Sequence, residues 1–143
     1  MKLRTYLAAS SAAGLVGLGA FVVPAMAGTS WTTHTLSFVS VTKDTLAISK
    51  TTVAQQDTDV IKSGKVIGFD LVYLTGNPKT GKGTGNFSFV TRGGFIDGSF
   101  RFTKTGATGA ITGGTGSYAG AMGTIVAKTL TTTTTAVTLK YWT

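Results

Sequence analysis

Between Ala110 and Thr124 the chain reads Ala-Ile-Thr-Gly-Gly-Thr-Gly-Ser-Tyr-Ala-Gly-Ala-Met-Gly-Thr, with glycine at Gly113, Gly114, Gly116, Gly120 and Gly123. Gly113-Gly114 and Gly116 are free to take φ > 0, which Thr or Ala adopts only at a cost. Tyr118 is the one large side chain available to pin so many small ones. β-prone runs flank the segment on both sides. The stretch therefore predicts a tight strand-loop-strand corner at which backbones approach closely.

Two nucleotide motifs overlap the glycines and fail on context. Gly114-Thr115-Gly116-Ser117-Tyr118-Ala119 fits a G-x-G-x-x-A fingerprint. That fingerprint needs a helix after it and an acid about 20 residues on. Here a β-prone run, Thr124-Ile125-Val126-Ala127, follows, and no acid occurs after Asp97. Gly76-Asn77-Pro78-Lys79-Thr80-Gly81-Lys82-Gly83 resembles a phosphate-binding loop, but Gly83 replaces the Ser or Thr that holds Mg²⁺. It reads as a surface hairpin loop.

Thr, Val, Ile, Phe and Tyr dominate from residue 28 onward, punctuated at short intervals by Gly, Asn and Pro, and helical periodicity is almost absent. The predicted strands are Trp31–Val41, Leu46–Val53, Lys65–Leu74, Thr84–Arg92, Gly94–Lys104, Gly106–Thr112, Gly123–Leu130 and Ala136–Trp142. Eight short strands with tight turns predict an all-β fold, an eight-stranded antiparallel β-barrel of calycin-like form. Ala54–Gly64, carrying Gln55, Gln56, Asp57 and Asp59, reads as an exposed loop. The five threonines of Thr131–Thr135 read as a turn between strands. Asn86-Phe87-Ser88 matches a glycosylation acceptor, but its place within a strand makes it structural.

The first 27 residues have the form of a secretion signal. Lys2 and Arg4 precede an apolar run from about Leu7 to Val23, Pro24 breaks it, and Ala25-Met26-Ala27 is a small-x-small cleavage site. The expectation is a secreted, extracellular protein cut near Ala27, with no stable membrane anchor afterwards. Residues 28–143 then form one β-barrel domain. The full chain carries a formal charge of +8. The basic residues are scattered singly with no aromatic-interleaved patch, which argues against a nucleic-acid partner. Zero cysteines exclude a thiol nucleophile and a Cys metal site. The lone His34 lies on a Thr-rich strand and reads as a surface or strand-edge residue, and no pattern supports a metal site.

Strand alternation assigns faces. In Lys65–Leu74 one face holds Gly68, Asp70, Val72 and Leu74, and the other Ile67, Phe69, Leu71 and Tyr73. Both are largely apolar, so one should line the interior and the other be covered, as by a partner subunit. In Gly94–Lys104, Ile96, Gly98, Phe100 and Phe102 share one face, and Asp97, Ser99, Arg101 and Thr103 the other. An eight-stranded barrel is just wide enough to be filled or to hold one small ligand. Phe87, Phe89, Phe100, Phe102, Arg92 and Tyr141 are the candidate ligand-binding residues. Asp70 sits in the apolar run Val66-Ile67-Gly68-Phe69-Asp70-Leu71-Val72, where an unpaired carboxylate is costly. It reads either as a register-fixing ion pair or hydrogen bond, with Arg92 or Arg101 as partner, or as a pocket acid or base with a shifted pKa. Asp70 and Arg101 are the candidate catalytic residues.

The segment Gly113–Gly123 resembles the glycine-rich hallmark of the allene oxide cyclase barrel family, whose bacterial members and plant enzymes are similar to the dirigent proteins. The resemblance extends through Val66-Ile67-Gly68-Phe69-Asp70, Phe95-Ile96-Asp97-Gly98-Ser99-Phe100 and Val137-Thr138-Leu139-Lys140-Tyr141, covering Val66 to Thr143. It implies steric control of a reactive substrate in an apolar cavity, without a cofactor, and a homotrimer. The cyclases use a buried Glu and a Cys, which this chain lacks; the cysteine position would fall near Leu74. Dirigent proteins use pocket Asp and Arg residues, for which Asp70 and Arg101 are compositionally suited. Three readings follow. The first is a secreted barrel that binds a small apolar molecule and steers its cyclisation or coupling, acting, if an enzyme, as a cofactor-independent isomerase. The second is a non-catalytic structural or interaction barrel with a filled core. The third is a basic module that binds envelope polymers.

Overall fold

The computed structural model describes residues 30–143; the expected leader, residues 1–27, lies outside the described residues. The barrel unit is Thr32–Thr143. Eight strands follow in order: β1 (Thr33–Ala47), β2 (Thr52–Val60), β3 (Val66–Asn77), β4 (Lys82–Thr91), β5 (Gly94–Thr103), β6 (Gly106–Gly114), β7 (Met122–Thr129) and β8 (Thr134–Trp142). Each pairs antiparallel with the next, and β8 closes on β1 from Thr33↔Trp142 to Val41↔Thr134. Closure leaves no strand edge to aggregate.

Three single-residue irregularities bend the wall. β1 leaves Lys43 unopposed between Thr42↔Asp57 and Asp44↔Gln56. β3 leaves Ile67 between Gly68 and Val66, and β6 leaves Thr112 between Gly113 and Ile111. Such bulges sharpen local twist, which closure of a small barrel demands. At Ile67 the bulge lets a residue expected on the outer face pack against the core.

Thr32, Thr143 and the Gly116–Tyr118 turn of 3-10 helix share one end of the barrel, where Thr32 and Thr143 exchange backbone hydrogen bonds. That end is plugged. Phe89, Ile96 and Leu139 are fully buried there, with Ile111, Ala121 and Tyr141 around them. Each such side chain removed from water contributes about 1.5–3 kcal/mol, and a chain without cysteine has this packing and its strand ladders to rely on. Tyr118 meets Tyr141 edge-on at 5.9 Å and bonds the Thr91 hydroxyl at 3.2 Å, so it pins the glycine corner as expected. The positive φ values fall at Gly116 (+59°) and Gly120 (+76°). Gly113 and Gly114 stay in strand-like conformation, a correction to the sequence reading. At Gly114 the need is space: an added Cβ would meet the Tyr118 backbone.

The largest correction concerns 54–64. Ala54–Val60 belongs to β2 instead of an exposed loop, and β1 runs on to Ala47. Of the polar residues that suggested a loop, Gln55, Asp57 and Asp59 point into the barrel and Gln56 points outward. Of the Thr131–Thr135 run only Thr131–Thr133 turn between strands, while Thr134 and Thr135 already open β8; the hairpin at 76–83 does close β3 onto β4.

Candidate acid-lined cavity

Alternation along β2 sends Gln55, Asp57 and Asp59 inward, and along β3 it sends Asp70, Val72 and Leu74 inward. The register sets Asp57 directly opposite Asp70 and Ser40 of β1 opposite Asp59. Three carboxyls thus meet on one inner wall, where like charges on facing strand positions repel. All are buried: Asp57 is 5%, Asp59 0% and Asp70 7% exposed. Ser40 is their common neighbour, its Oγ 3.2 Å from Asp57 Oδ2 and 3.0 Å from Asp70 Oδ2. Gln55 Nε2 donates to both Asp57 oxygens at 2.8 Å and reaches Thr42 Oγ1 at 3.0 Å. Asp59 Oδ1, Asp59 Oδ2 and Asp70 Oδ1 have no hydrogen-bond partner among the described residues.

Burial therefore dominates the electrostatics. Desolvation pushes Asp59 from 3.8 up to about 7, opposed by the neighbouring Ser40 hydroxyl and Asp70 carboxyl, which lie beyond hydrogen-bond geometry, and helped by the Asp57 charge. Desolvation, then the Asp59 and Asp57 charges, pushes Asp70 from 3.8 up to about 8. Asp70 thus holds a proton at neutral pH, with none of the cationic partners that would release it.

Asp57 and Asp70 face a cavity of about 260 Å³, with Asp59 fully buried behind them. Its walls are Phe38, Val72, Leu74, Phe87, Phe89, Phe100 and Phe102 with Ile125, Val137 and Leu139 opposite; Ser40, Asp57 and Asp70 supply the polar patch. Thr103, Gly106, Thr129, Thr131, Thr132 and Thr135 surround the mouth, at the end opposite the plug. The interior is consequently hollow toward this mouth and packed at the plugged end.

The four phenylalanines expected at the ligand site line this cavity, and Asp70 faces it. The two arginines do not join them. Arg101 stands exposed on the outer wall, as alternation with Phe100 and Phe102 dictates, and Arg92 is exposed in the β4–β5 turn at the plugged end. Neither pairs with Asp70, so the expected internal ion pair is replaced by a hydroxyl and two more carboxyls. Tyr141 is buried in the plug, its hydroxyl pKa raised by burial and then by Tyr118. His34 stacks on Tyr141 at 5.1 Å and lies 3.3 Å from Thr143 Oγ1; it is half-buried at the plugged end. Sequence reasoning missed Ser40, Gln55, Asp57 and Asp59. Their signal was the i, i+2, i+4 spacing of Gln55, Asp57 and Asp59. No acid cluster among the described residues is arranged to hold a metal ion.

No family profile and no curated protein matches the chain. Solved structures do. A pyocyanin demethylase superposes with a TM-score of 0.64 at 20% identity, over 76% of this chain and 99% of that one. A pterocarpan synthase dirigent protein gives 0.59 at 19% identity, over 78% and 94%. The Diels-Alderase AbmU from Streptomyces koyangensis gives 0.60 at 8% identity, over 84% and 72%. The chain has the closed β-barrel fold that dirigent proteins and these Diels-Alderases share.

Proposed function

We propose that this protein is a secreted, ligand-steering barrel of the allene oxide cyclase and dirigent type, which binds one small, largely apolar molecule and directs its cyclisation or coupling. One observation carries the reading: an open apolar cavity has Asp70, a buried carboxyl, in its wall and no cationic side chain among its lining residues. Such a site confines a reactive molecule in one conformation, which is how positioning alone lowers a barrier. Asp70 exchanges a proton with the ligand, Ser40 orients its second oxygen, and the phenylalanines exclude water. The barrel fold of dirigent proteins and Diels-Alderases supports this reading, and the chemistry uses no cofactor. Export follows cleavage after Ala27, and the functional unit is a homotrimer. The basic surface is a solubility charge, with no affinity for nucleic acid.

The test is native mass spectrometry of the mature protein from culture supernatant, followed by titration with a panel of apolar dyes. A retained small molecule or saturable uptake at one site per chain is expected, abolished by Leu74→Trp, which fills the cavity. A wild-type protein that carries nothing and takes up none of the dyes would remove the ligand-steering reading.

A further inference from the structure

The reading above leaves open which polar group the ligand presents to the acid wall, and the hydrogen-bond inventory there answers it. Three buried carboxyl oxygens, both of Asp59 and Oδ1 of Asp70, lack donors. Asp70 lines the cavity while being 7% exposed. The wall is rich in acceptors and poor in donors. Gln55 and Ser40 are its donors, and both already serve Asp57 and Asp70. Every element facing the cluster tells the same story: β1 brings Ser40 and Phe38, β4 brings Phe87 and Phe89, and across the cavity stand Phe100, Ile125 and Leu139. No Lys, Arg or His lines the cavity; every Lys and Arg among the described residues is exposed. A neutral acceptor such as a ketone would compete for the one proton on Asp70 and leave the other oxygens bare. A ligand N–H group would instead meet the carboxyls of Asp57 and Asp70, the two acids that line the cavity, while Asp59 lies fully buried behind them; a charged hydrogen bond of this kind contributes about 1.5–3 kcal/mol.

We propose that the cavity selects an organic cation: a flat, apolar molecule bearing a protonated nitrogen, seated with its N–H groups on Asp70 and its body against Phe38, Phe87 and Phe100. This rests on the ligand-steering reading and names its substrate class. Phenylalanine faces add attraction for a desolvated cation. The arriving charge also supplies the counter-ion that the three acids lack, so binding drives a proton off the cluster. Affinity then rises with pH through the range in which Asp59 and Asp70 titrate, about 7 to about 8. A ligand that accepts a proton from Asp70 does the reverse.

Isothermal titration at about pH 6 and about pH 8, in buffers of different ionisation enthalpy, separates the two with 1-naphthylmethylammonium and its neutral acceptor counterpart 1-acetonaphthone. The ammonium probe is expected to bind roughly tenfold tighter than the ketone or better, the scale of one charged hydrogen bond. Its binding should strengthen toward pH 8, release protons, and fall by a similar factor in Asp70→Asn. Because that variant keeps the shape of the side chain, a thermal melt verifies its fold, and Asp59→Asn provides a second variant on the same wall. Ketone binding as tight as ammonium binding, or ammonium binding indifferent to pH and to both variants, overturns the inference and leaves the ligand-steering reading standing. If the wild type binds neither probe nor any dye of the panel, both fall together.

Discussion

Asp70 and Asp59 make the barrel's stability depend on pH in a direction unusual for carboxyls. Unfolding returns both to water and to a pKa of 3.8. Between that value and about 7 for Asp59 or about 8 for Asp70, the folded chain holds protons that the unfolded chain has released. Stability contributed by these two groups is therefore greatest near pH 4, declines as pH rises, and levels off above about pH 8. Asp70→Asn removes the larger share of this slope. Urea denaturation should show the variant gaining stability relative to wild type as pH rises from about 4 to about 8.5; parallel pH profiles would contradict the assignment. The glycine corner offers a second test on single residues. At Gly116, φ is +59° and a Cβ would run into the Gly93 carbonyl, so Gly116→Ala should cost about 2 kcal/mol or more. Gly113 has open space around it, and Gly113→Ala should change stability by less than about 0.5 kcal/mol. Equal effects in thermal melts would refute this division of the motif.

Among the strands, β2 shows where sequence reasoning stops. The others were legible from β-branched and aromatic runs between turn signals, most cleanly in β5, where Ile96, Gly98, Phe100 and Phe102 face inward against Asp97, Ser99 and Arg101. In β2 the inward set is Gln55, Asp57 and Asp59, which has the composition of a solvated loop. Nothing local distinguishes a strand that faces a polar cavity wall from a segment that faces water; the difference lies in Asp70 and Ser40, supplied by β3 and β1. Asp70 itself was legible because a carboxyl in an apolar strand is conspicuous, whereas its partners were not, since ion pairing with Arg was the simplest remedy for its burial. Across β4–β6 a different device was equally hidden. Register pairs Phe87 with Gly98, Gly85 with Phe100 and Gly83 with Phe102, and each phenylalanine ring lies over the opposing glycine. The missing side chains let the rings lie against the wall and keep the cavity open. At Gly85 an added methyl would stand 2.6 Å from Phe100 Cζ, so Gly85→Ala should tilt that ring into the cavity. Weaker uptake of any ligand the wild type holds, by roughly tenfold, is the expected outcome. Unchanged affinity would mean that the ring relaxes outward instead.

At the scale of the whole molecule, the outer face of β3 sets the remaining question. Phe69, Leu71 and Tyr73 follow one another on that face, with Leu71 49% and Tyr73 46% exposed. Gln56 and Ser88 flank Leu71, Thr58 and Val90 flank Phe69, and Ala54 and Asn86 flank Tyr73, so the stripe is an apolar ridge with a mostly polar border, the form of an interface core and rim. A ridge this narrow on a closed barrel buries too little alone, since stable interfaces cover about 800 Å² per partner. A cyclic trimer answers that shortfall, because each chain then makes two contacts through two different patches, and β3 needs to supply one. The dispersed positive charge keeps such chains soluble before they meet. Sedimentation equilibrium of the mature protein should give a trimer, and Leu71→Lys, which places a charge at the centre of the ridge, should shift it toward monomer while leaving the thermal melt of the isolated barrel intact. A wild-type monomer at high concentration would end the trimer proposal. A trimer indifferent to Leu71→Lys would keep the assembly but move its contact away from β3, and the exposed ridge would then have to be covered by something other than a second copy of this chain.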